Sequence, residues 1–320
     1  MNRQTFQRPL PSSLLQRRPD FLPVLAIILG AAMWGLFWLP VRAIGEAGVS
    51  PAWASPLIFA AASMAIAPVA LYRLRHFAAG MKNIFLGGFL AGLAFALYSI
   101  SFNLTEVVRV QLLFYTTPVW STILGILLLG EALRLNRVLA LLLGFGGLLV
   151  VLGADGQFPW PRNWGDWFAL ASGIAWSFAS VQLIKGGTKH IFEKTALFVF
   201  CALITSVILA LLPFDIADAL PTQESVQKAL PALIIVAVLI VPAAFLTIWP
   251  TTLLSPARVG ILFMFEMVVG ISTAAWLTDE PFGLREIAGT ILIMGAALVE
   301  VMPKRGDAIK NADPKKNVSP

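Results

Sequence analysis

The stretch Ala257–Trp276 reads ARVGILFMFEMVVGISTAAW. Its length is close to the roughly 20 apolar residues that a helix needs to cross a bilayer. One carboxylate, Glu266, stands near its middle. A charge at that depth costs about 2.5–3.5 kcal/mol on insertion scales, and acids inside membrane helices usually serve a function. The stretch therefore predicts a membrane helix that carries a functional acid.

This stretch has a counterpart 149 residues earlier, in VVRVQLLFYTTPVW at Val107–Trp120. Four matched positions are Arg109, Val110, Leu113 and Phe114, which recur as Arg258, Val259, Leu262 and Phe263. The same offset relates Glu131, Leu135 and Gly146 to Glu280, Leu284 and Gly295. Because one register holds across two helices and the turn between them, we interpret the chain as an internal duplication.

The composition places the chain in the membrane. It is 58% hydrophobic and 12% charged, with a mean hydropathy of +0.82, whereas soluble domains carry about 25% charged residues. The net charge is +6, but the basic residues lie in short loops and tails. We therefore interpret them as determinants of membrane topology and not as a nucleic-acid surface. The single cysteine, Cys201, excludes an intrachain disulfide.

Ten apolar runs are long enough to cross a bilayer. They are residues 21–43, 52–72, 83–103, 108–129, 137–153, 166–185, 192–213, 231–254, 257–277 and 285–303. We therefore predict an all-α membrane protein with ten transmembrane helices. Residues 1–20 form a tail, 21–155 a first five-helix repeat, 156–303 a second one, and 304–320 a second tail.

The orientation follows from the basic residues. Most of the 23 Lys and Arg residues fall on the side that holds both termini, which predicts that both tails are cytoplasmic and that the protein lies in the cell (inner) membrane. Because five helices is an odd number, the second repeat enters the membrane from the opposite side. Inverted repeats with a site near the midplane are how many secondary transporters alternate access.

Two long segments carry a family resemblance. They are LLFYTTPVWSTILGILLLGEALRLNRVLALLLGFGGLLVVLG at 112–153 and ILFMFEMVVGISTAAWLTDEPFGLREIAGTILIMGAALVEV at 261–301. They resemble the two EamA repeats of the drug/metabolite transporter superfamily. The resemblance implies a ten-helix fold with a central cavity lined by both halves, in a family whose members mostly export small metabolites such as amino acids. Family members often have Pro directly after the acid, but here Met267 follows Glu266, so no proline kink is expected there.

Glu266 is the first candidate site residue. As an acid it could exchange a proton during the transport cycle, and as a carboxylate it could bind the ammonium group of a substrate. The alternative is a neutral acid that bonds a neighbouring helix. Pro118 is the second candidate, as a hinge, because proline breaks the helical hydrogen-bond ladder and exposes carbonyls.

Further candidates share the property of placing a polar or aromatic group at cavity depth. Trp34 and Trp38 are four residues apart and would share one helix face. Such groups suit amino-acid-like or aromatic cationic solutes through dispersion and cation–π attraction. The predicted substrate-binding set is Trp34, Trp38, Tyr98, Asn103, Gln111, Tyr115, Thr117, Trp176, Trp249 and Glu266. Arg109 and Arg258 are candidate gates or anchors in the membrane interface, and anchoring is the favoured interpretation.

No enzyme site, metal site or cofactor motif is visible. His76 and His190 have no neighbouring metal ligands, and no Walker-type loop is present. Gly88 and Gly92 form a GxxxG pattern, which we interpret as helix packing. The favoured function is export of amino acids or analogues, by halves that rock about the centre, with protons as a possible partner. The alternatives are efflux of lipophilic cationic drugs, a membrane scaffold or a membrane enzyme. The oligomeric state stays open, and a monomer would suffice.

Overall fold

The computed structural model describes residues 21–105, 110, 113–151, 161–212, 220–277 and 283–301. These residues form twelve helices and no strand within the described ranges. The helices are α1 Phe21–Gly35, α2 Trp38–Glu46, α3 Pro51–Tyr72, α4 Leu74–Leu104, α5 Thr117–Leu129, α6 Leu135–Val151, α7 Trp164–Lys185, α8 Ile191–Leu211, α9 Gln223–Thr251, α10 Pro256–Phe263, α11 Phe265–Leu277 and α12 Leu284–Val301. Both predicted tails and residues 279–281, which read DEP and lie between α11 and α12, are outside the described residues.

The helices fit a bilayer. Six segments of the described chain are long and apolar enough to cross one: Phe21–Glu46, Ala52–Tyr72, Ile84–Ser101, Trp164–Lys185, Ile191–Leu211 and Gln223–Thr251. Large apolar side chains such as Met64, Leu127 and Leu298 stand exposed on the outside. A soluble monomer seldom exposes that much apolar surface, whereas lipid covers it without cost. The protein is a multi-pass membrane protein.

Three predicted helices are interrupted, and the run at 108–129 has its interruption at Tyr115–Thr116, directly before α5. The run at 21–43 divides into α1 and α2 at Leu36–Phe37. Pro40 explains this break, because its ring clashes with the carbonyl four residues earlier and it has no N–H to donate. The run at 257–277 divides at Met264, between α10 and α11. A break beside Glu266 was not expected from the sequence, since no proline stands near it.

Helix ends follow local chemistry. The side chains of Asn163, Thr222 and Ser255 accept a backbone N–H at the starts of α7, α9 and α10, as N-cap residues do. Helix α5 ends at Gly130, whose φ of 67° is the left-handed conformation that glycine adopts without strain. The next residue, Glu131, pairs with Arg137 at 2.7 Å.

The packing mixes the two halves of the sequence. Helix α4, from the first half, packs along α7 and α8, and helix α9, from the second half, packs against α1 and α3. Helices α6 and α12 pair with each other beside this core. One large apolar cluster runs through the middle and includes Trp34, Phe95, Phe198 and Phe263. The centre of the molecule is therefore built by both halves together.

Candidate functional site

A small aromatic cavity lies where α1, α4, α7, α8, α9 and α10 meet. Its open volume is about 10 Å³, which is room for roughly one water molecule. The wall consists of Trp34, Ala94, Phe95, Phe114, Trp176, Phe198, Ala244, Thr247, Ile248 and Phe263. A solute larger than water enters this cavity only when the helices part.

Trp34 is the centre of the aromatic wall. Its ring lies 4.3 Å from that of Phe95 and 6.4 Å from that of Phe198. Its indole N–H donates to the hydroxyl of Thr247 at 3.0 Å, across from α1 to α9. Thr247 in turn donates to the carbonyl of Ala243. The hydrogen bond fixes the indole plane, because the donor lies in the plane of the ring.

Glu266 is buried, at 9% exposure, in the first turn of α11. Its carboxyl lies within electrostatic reach of the Tyr98 and Tyr115 hydroxyls, both of which are buried. The Tyr115 hydroxyl makes no hydrogen bond of standard geometry to any described residue. Helix α1 packs directly on this turn, since a Cβ added at Gly35 would lie 2.5 Å from the carbonyl oxygen of Glu266. The acid therefore faces protein and not acyl chains.

Three helix interruptions meet around Glu266. The helical conformation is interrupted at Leu36–Phe37 before α2, at Tyr115–Thr116 before α5, and at Met264 before α11. Near each break the chain makes bonds to the third preceding residue, for example from the amide of Met267 to the carbonyl of Met264 at 3.1 Å. Such tightened turns leave some carbonyls without an i+4 partner. Broken helices with free polar ends line solute and ion sites in many transporters.

Pro118 stands at the second residue of α5, directly after one of these breaks. The Thr117 hydroxyl donates to the carbonyl of Phe114 at 2.5 Å, and the Thr116 hydroxyl accepts from the indole of Trp120. Helix α10 packs on this turn, since a Cβ at Gly260 would lie 3.1 Å from the Cα of Pro118. The proline turn of the first half thus touches the broken helix of the second half.

The remaining predicted site residues lie at different distances from the cavity. Trp176 lines it, 6.1 Å from the ring of Phe263. The Tyr98 ring lies 4.3 Å from that of Phe114, one layer behind the wall. Trp249 is half-buried off the wall, with its ring stacked on Phe245.

Trp34 and Trp38 do not share one helix face, so that prediction was wrong. The break at Leu36–Phe37 turns them apart, and the Trp38 indole donates to Thr273 on α11 at 3.2 Å, while Trp34 bonds α9. Arg258 is half-buried in the first turn of α10. Arg109 and Gln111 lie outside the described residues, as does the side chain of Asn103 in the last turn of α4.

Sequence reasoning missed eight of the ten wall residues: Ala94, Phe95, Phe114, Phe198, Ala244, Thr247, Ile248 and Phe263. A signal for two of them was present. Phe114 and Phe263 are related by the 149-residue offset, and both line the cavity. The predicted duplication thus places one aromatic residue of each repeat on the cavity wall. Among the described residues, no three His, Cys, Asp or Glu side chains come together as a metal site.

Comparison with known proteins agrees with the geometry. Residues 21–153 match the EamA-like transporter family. Protein RarD of Streptomyces exfoliatus is 29% identical over 182 residues, which is 53% of this chain and 55% of that protein. The uncharacterized transporter YoaV of Bacillus subtilis (strain 168) is 21% identical over 84% of this chain and 93% of its own length.

One solved crystal structure covers 88% of this chain and 98% of its own, with a TM-score of 0.65 and 21% identity. At that identity the likeness concerns the fold alone. The family match and the two relatives confirm the resemblance that the sequence motifs indicated. Residues 21–153 are therefore similar to EamA-like transporters, and the match to the transporter YoaV extends the similarity over most of the chain.

Proposed function

We propose that this protein is a secondary transporter of the inner membrane that exports small metabolites, amino acids or their analogues, by alternating access. Ten helices form two inverted five-helix repeats, and both termini are cytoplasmic. Glu266 couples the flux to protons. One observation carries the proposal: three broken helices meet at a buried acid beside an aromatic cavity that both halves build.

Matched packing supports the inverted repeats. The 149-residue offset makes Thr117 the counterpart of Glu266. Gly35 packs against the carbonyl of Glu266, and Gly173 of α7 packs in the same way against Phe114 and Thr117, at 2.8 and 2.9 Å from its added Cβ. In each half, a glycine of the first helix (Gly35 of α1, Gly173 of α7) thus packs against the interrupted helix of the other half. Such an exchange is expected of two repeats related by a pseudo-two-fold axis.

The chemistry of the site supports a solute with an amine and an apolar body. Aromatic rings and Ala94, Ala244 and Ile248 form an apolar wall, which gains dispersion and cation–π energy from such a solute. Glu266 supplies the acid that either neutralises an ammonium group or carries a proton in the opposite direction. Amino acids and their analogues combine these two features.

The same wall favours a second candidate, efflux of lipophilic cations. The specific observation is the number of rings around one small space: Trp34, Phe95, Phe114, Trp176, Phe198 and Phe263. A quaternary ammonium or phosphonium ion binds to such ring faces. This candidate predicts inhibition of flux by quaternary ammonium ions.

The test is flux into liposomes that contain the purified protein. A panel of radiolabelled amino acids, and tetraphenylphosphonium as the cationic probe, is offered with and without a pH gradient. Wild type should accumulate at least one amino acid when the gradient is applied. Glu266→Gln should lose this accumulation, and Glu46→Gln, an exposed acid in α2, is the matched control.

The outcomes separate the parts of the proposal. Accumulation by Glu266→Gln equal to that of wild type would reject the proton-carrier role and leave the cavity. Flux of tetraphenylphosphonium alone would favour the second candidate. Failure of every probe to move in wild type would reject both.

A further inference from the structure

The N-terminal end of α4 is held to the second half of the chain by an ion pair between a partly exposed arginine and a buried carboxylate. Arg73, the residue before α4, contacts the Oε1 atom of Glu193 through Nη2 at 2.6 Å and through Nε at 2.8 Å. Glu193 lies in the first turn of α8 and has no exposed surface. The Arg73 guanidinium also lies 5.4 Å from the centre of the Phe192 ring. Breaking this contact would leave a carboxylate buried without its partner, which is costly.

The far end of α4 is held in a similar way. Thr105, the residue after α4, donates its hydroxyl to Oδ1 of Asp166 at 2.8 Å, and Asn163 donates to the Thr105 hydroxyl at 3.2 Å. Asp166 lies in the first turn of α7 and is also fully buried. Two buried carboxylates of the second half therefore bind the residues that flank this first-half helix.

Between its ends, α4 touches α7 and α8 at the level of the backbone. A Cβ added at Gly88 would lie 2.6 Å from the Cβ of Leu197, and one at Gly92 would lie 2.7 Å from the amide nitrogen of Ala202. A Cβ added at Gly87 would lie 3.1 Å from the Leu183 side chain. Helices that meet through glycine gain van der Waals contact without any side chain in between. We call this whole contact, with its two polar ends, the closed seam.

The contact of α4 and α8 with α1 has a different character. Across it the Trp34 ring contacts that of Phe95 at a tilt and that of Phe198 edge-on, and the aromatic cavity lies there. Helix α1 is held instead to α9, by the bond from Trp34 to Thr247 and by Gly30, whose added Cβ would lie 3.2 Å from Leu246 and Thr247. We call this contact, of α4 and α8 with α1 and α9, the cavity seam. Helices that meet through aromatic rings, without a buried charge, separate more easily than the helices of the closed seam.

We propose that α4, α7 and α8 form one rigid body, which moves against α1 and α9 when the cavity opens. The moving unit crosses the boundary between the two halves of the sequence, so the halves themselves do not rock as units. This inference rests on the proposed function, since it specifies how alternating access occurs. It assigns Glu193 and Asp166 the role of fixing the two ends of α4 to that body, and we call these two carboxylates the clasps.

A disulfide across the closed seam tests the inference. In a Cys201→Ser background, Gly87→Cys and Leu183→Cys join α4 to α7, because a Cβ at residue 87 would lie 3.4 Å from Cγ of Leu183, close to the reach of a disulfide. Flux of a probe that wild type carries is measured before and after oxidation with copper phenanthroline. The Leu183→Cys single variant controls for effects of the oxidant.

The rigid body predicts that the oxidised protein keeps most of the flux of the reduced protein. A fall of about tenfold or more that a reducing agent reverses would overturn it, because rocking of the two halves requires α4 and α7 to separate. Absence of flux in wild type is a different result, since it rejects the proposed function and not the rigid body.

Distance measurements cover the case in which the double variant does not transport. Spin labels at the exposed Lys82 and Lys185 report on α4 against α7, and labels at Lys82 and Leu253 report on α4 against the end of α9. In nanodiscs, at acidic and alkaline pH, the first distance should stay constant within about 2 Å while the second changes. A change in the first distance as large as in the second would overturn the proposal.

Discussion

The closed seam and the cavity seam share helices but are built from different interactions. The closed seam joins backbones through Gly88 and Gly92 and ends in buried carboxylates. The cavity seam joins aromatic rings around Trp34 and encloses the small aromatic cavity. Buried charge and close backbone contact make a contact that is costly to open, whereas tilted and edge-on ring contacts tolerate repacking. We therefore expect α4, α7 and α8 to stay together, and to separate from α1 and α9, when a solute passes.

The largest effect should come from removing a clasp. Glu193→Ala leaves the Arg73 charge without its carboxylate partner. Removal of one partner of a fully buried ion pair costs about 3–5 kcal/mol. Because Arg73 is partly exposed, we expect a smaller loss, about 2–3 kcal/mol, in the free energy of unfolding. Unfolding in mixed detergent micelles measures it. Glu46→Ala removes the acid of an exposed pair with Arg42 and should leave stability unchanged. Equal effects of the two variants would show that the closed seam is not held by its end.

A smaller effect should follow from adding a methyl group inside the closed seam. Gly92→Ala places a Cβ 2.7 Å from the backbone of α8, so the helices must separate, at a cost of about 1–3 kcal/mol. Gly146→Ala in α6 is the matched control, since nothing lies within 4 Å of its added Cβ. The thermal midpoint in detergent should fall for the first variant only. A similar midpoint for both would contradict the close backbone contact.

The smallest effect should arise beside the cavity seam, at the hydrogen bond that holds α1 to α9. Thr247→Val removes the acceptor of the Trp34 indole, and interhelical hydrogen bonds in membranes average only about 0.6 kcal/mol. Stability should therefore change little. The KM for a transported probe should rise by a few fold, because the indole loses its fixed orientation, and Thr247→Ser should restore it. A stability loss that exceeds the effect on KM would mean that this bond holds the fold and not the site.

The helices were predictable from the sequence because lipid demands long apolar runs, and Glu266 stood out because few charges enter such runs. Which face of each helix lines the cavity was not predictable from the sequence. Helix α9 is apolar all round, so no pattern distinguishes Thr247, on the cavity wall, from Trp249, two residues later and off it. The helix interruption at Leu36–Phe37 separated Trp34 from Trp38, although Pro40 was visible in the sequence.

The break at Met264 had no local signal at all. Proline marks the corresponding break in the first half, but at Met264 the accompanying features are contacts of Gly260 with Pro118 and of Gly35 with the Glu266 carbonyl. These contacts join residues that are far apart in the chain. The same holds for the clasps. Arg73 follows one predicted helix and Glu193 stands at the start of another, and no pattern in the sequence pairs them, although the fold brings them to 2.6 Å.

Counterflow tests the central claim most directly, that a solute crosses in a closed pocket between moving helices. Liposomes loaded with an unlabelled amino acid of the panel are diluted into a trace of the same labelled compound, without any ion gradient. A carrier of this kind predicts a transient accumulation of label above the final level, reduced in Trp34→Ala. Label that never exceeds its final level, for every compound of the panel and for tetraphenylphosphonium, would contradict the account.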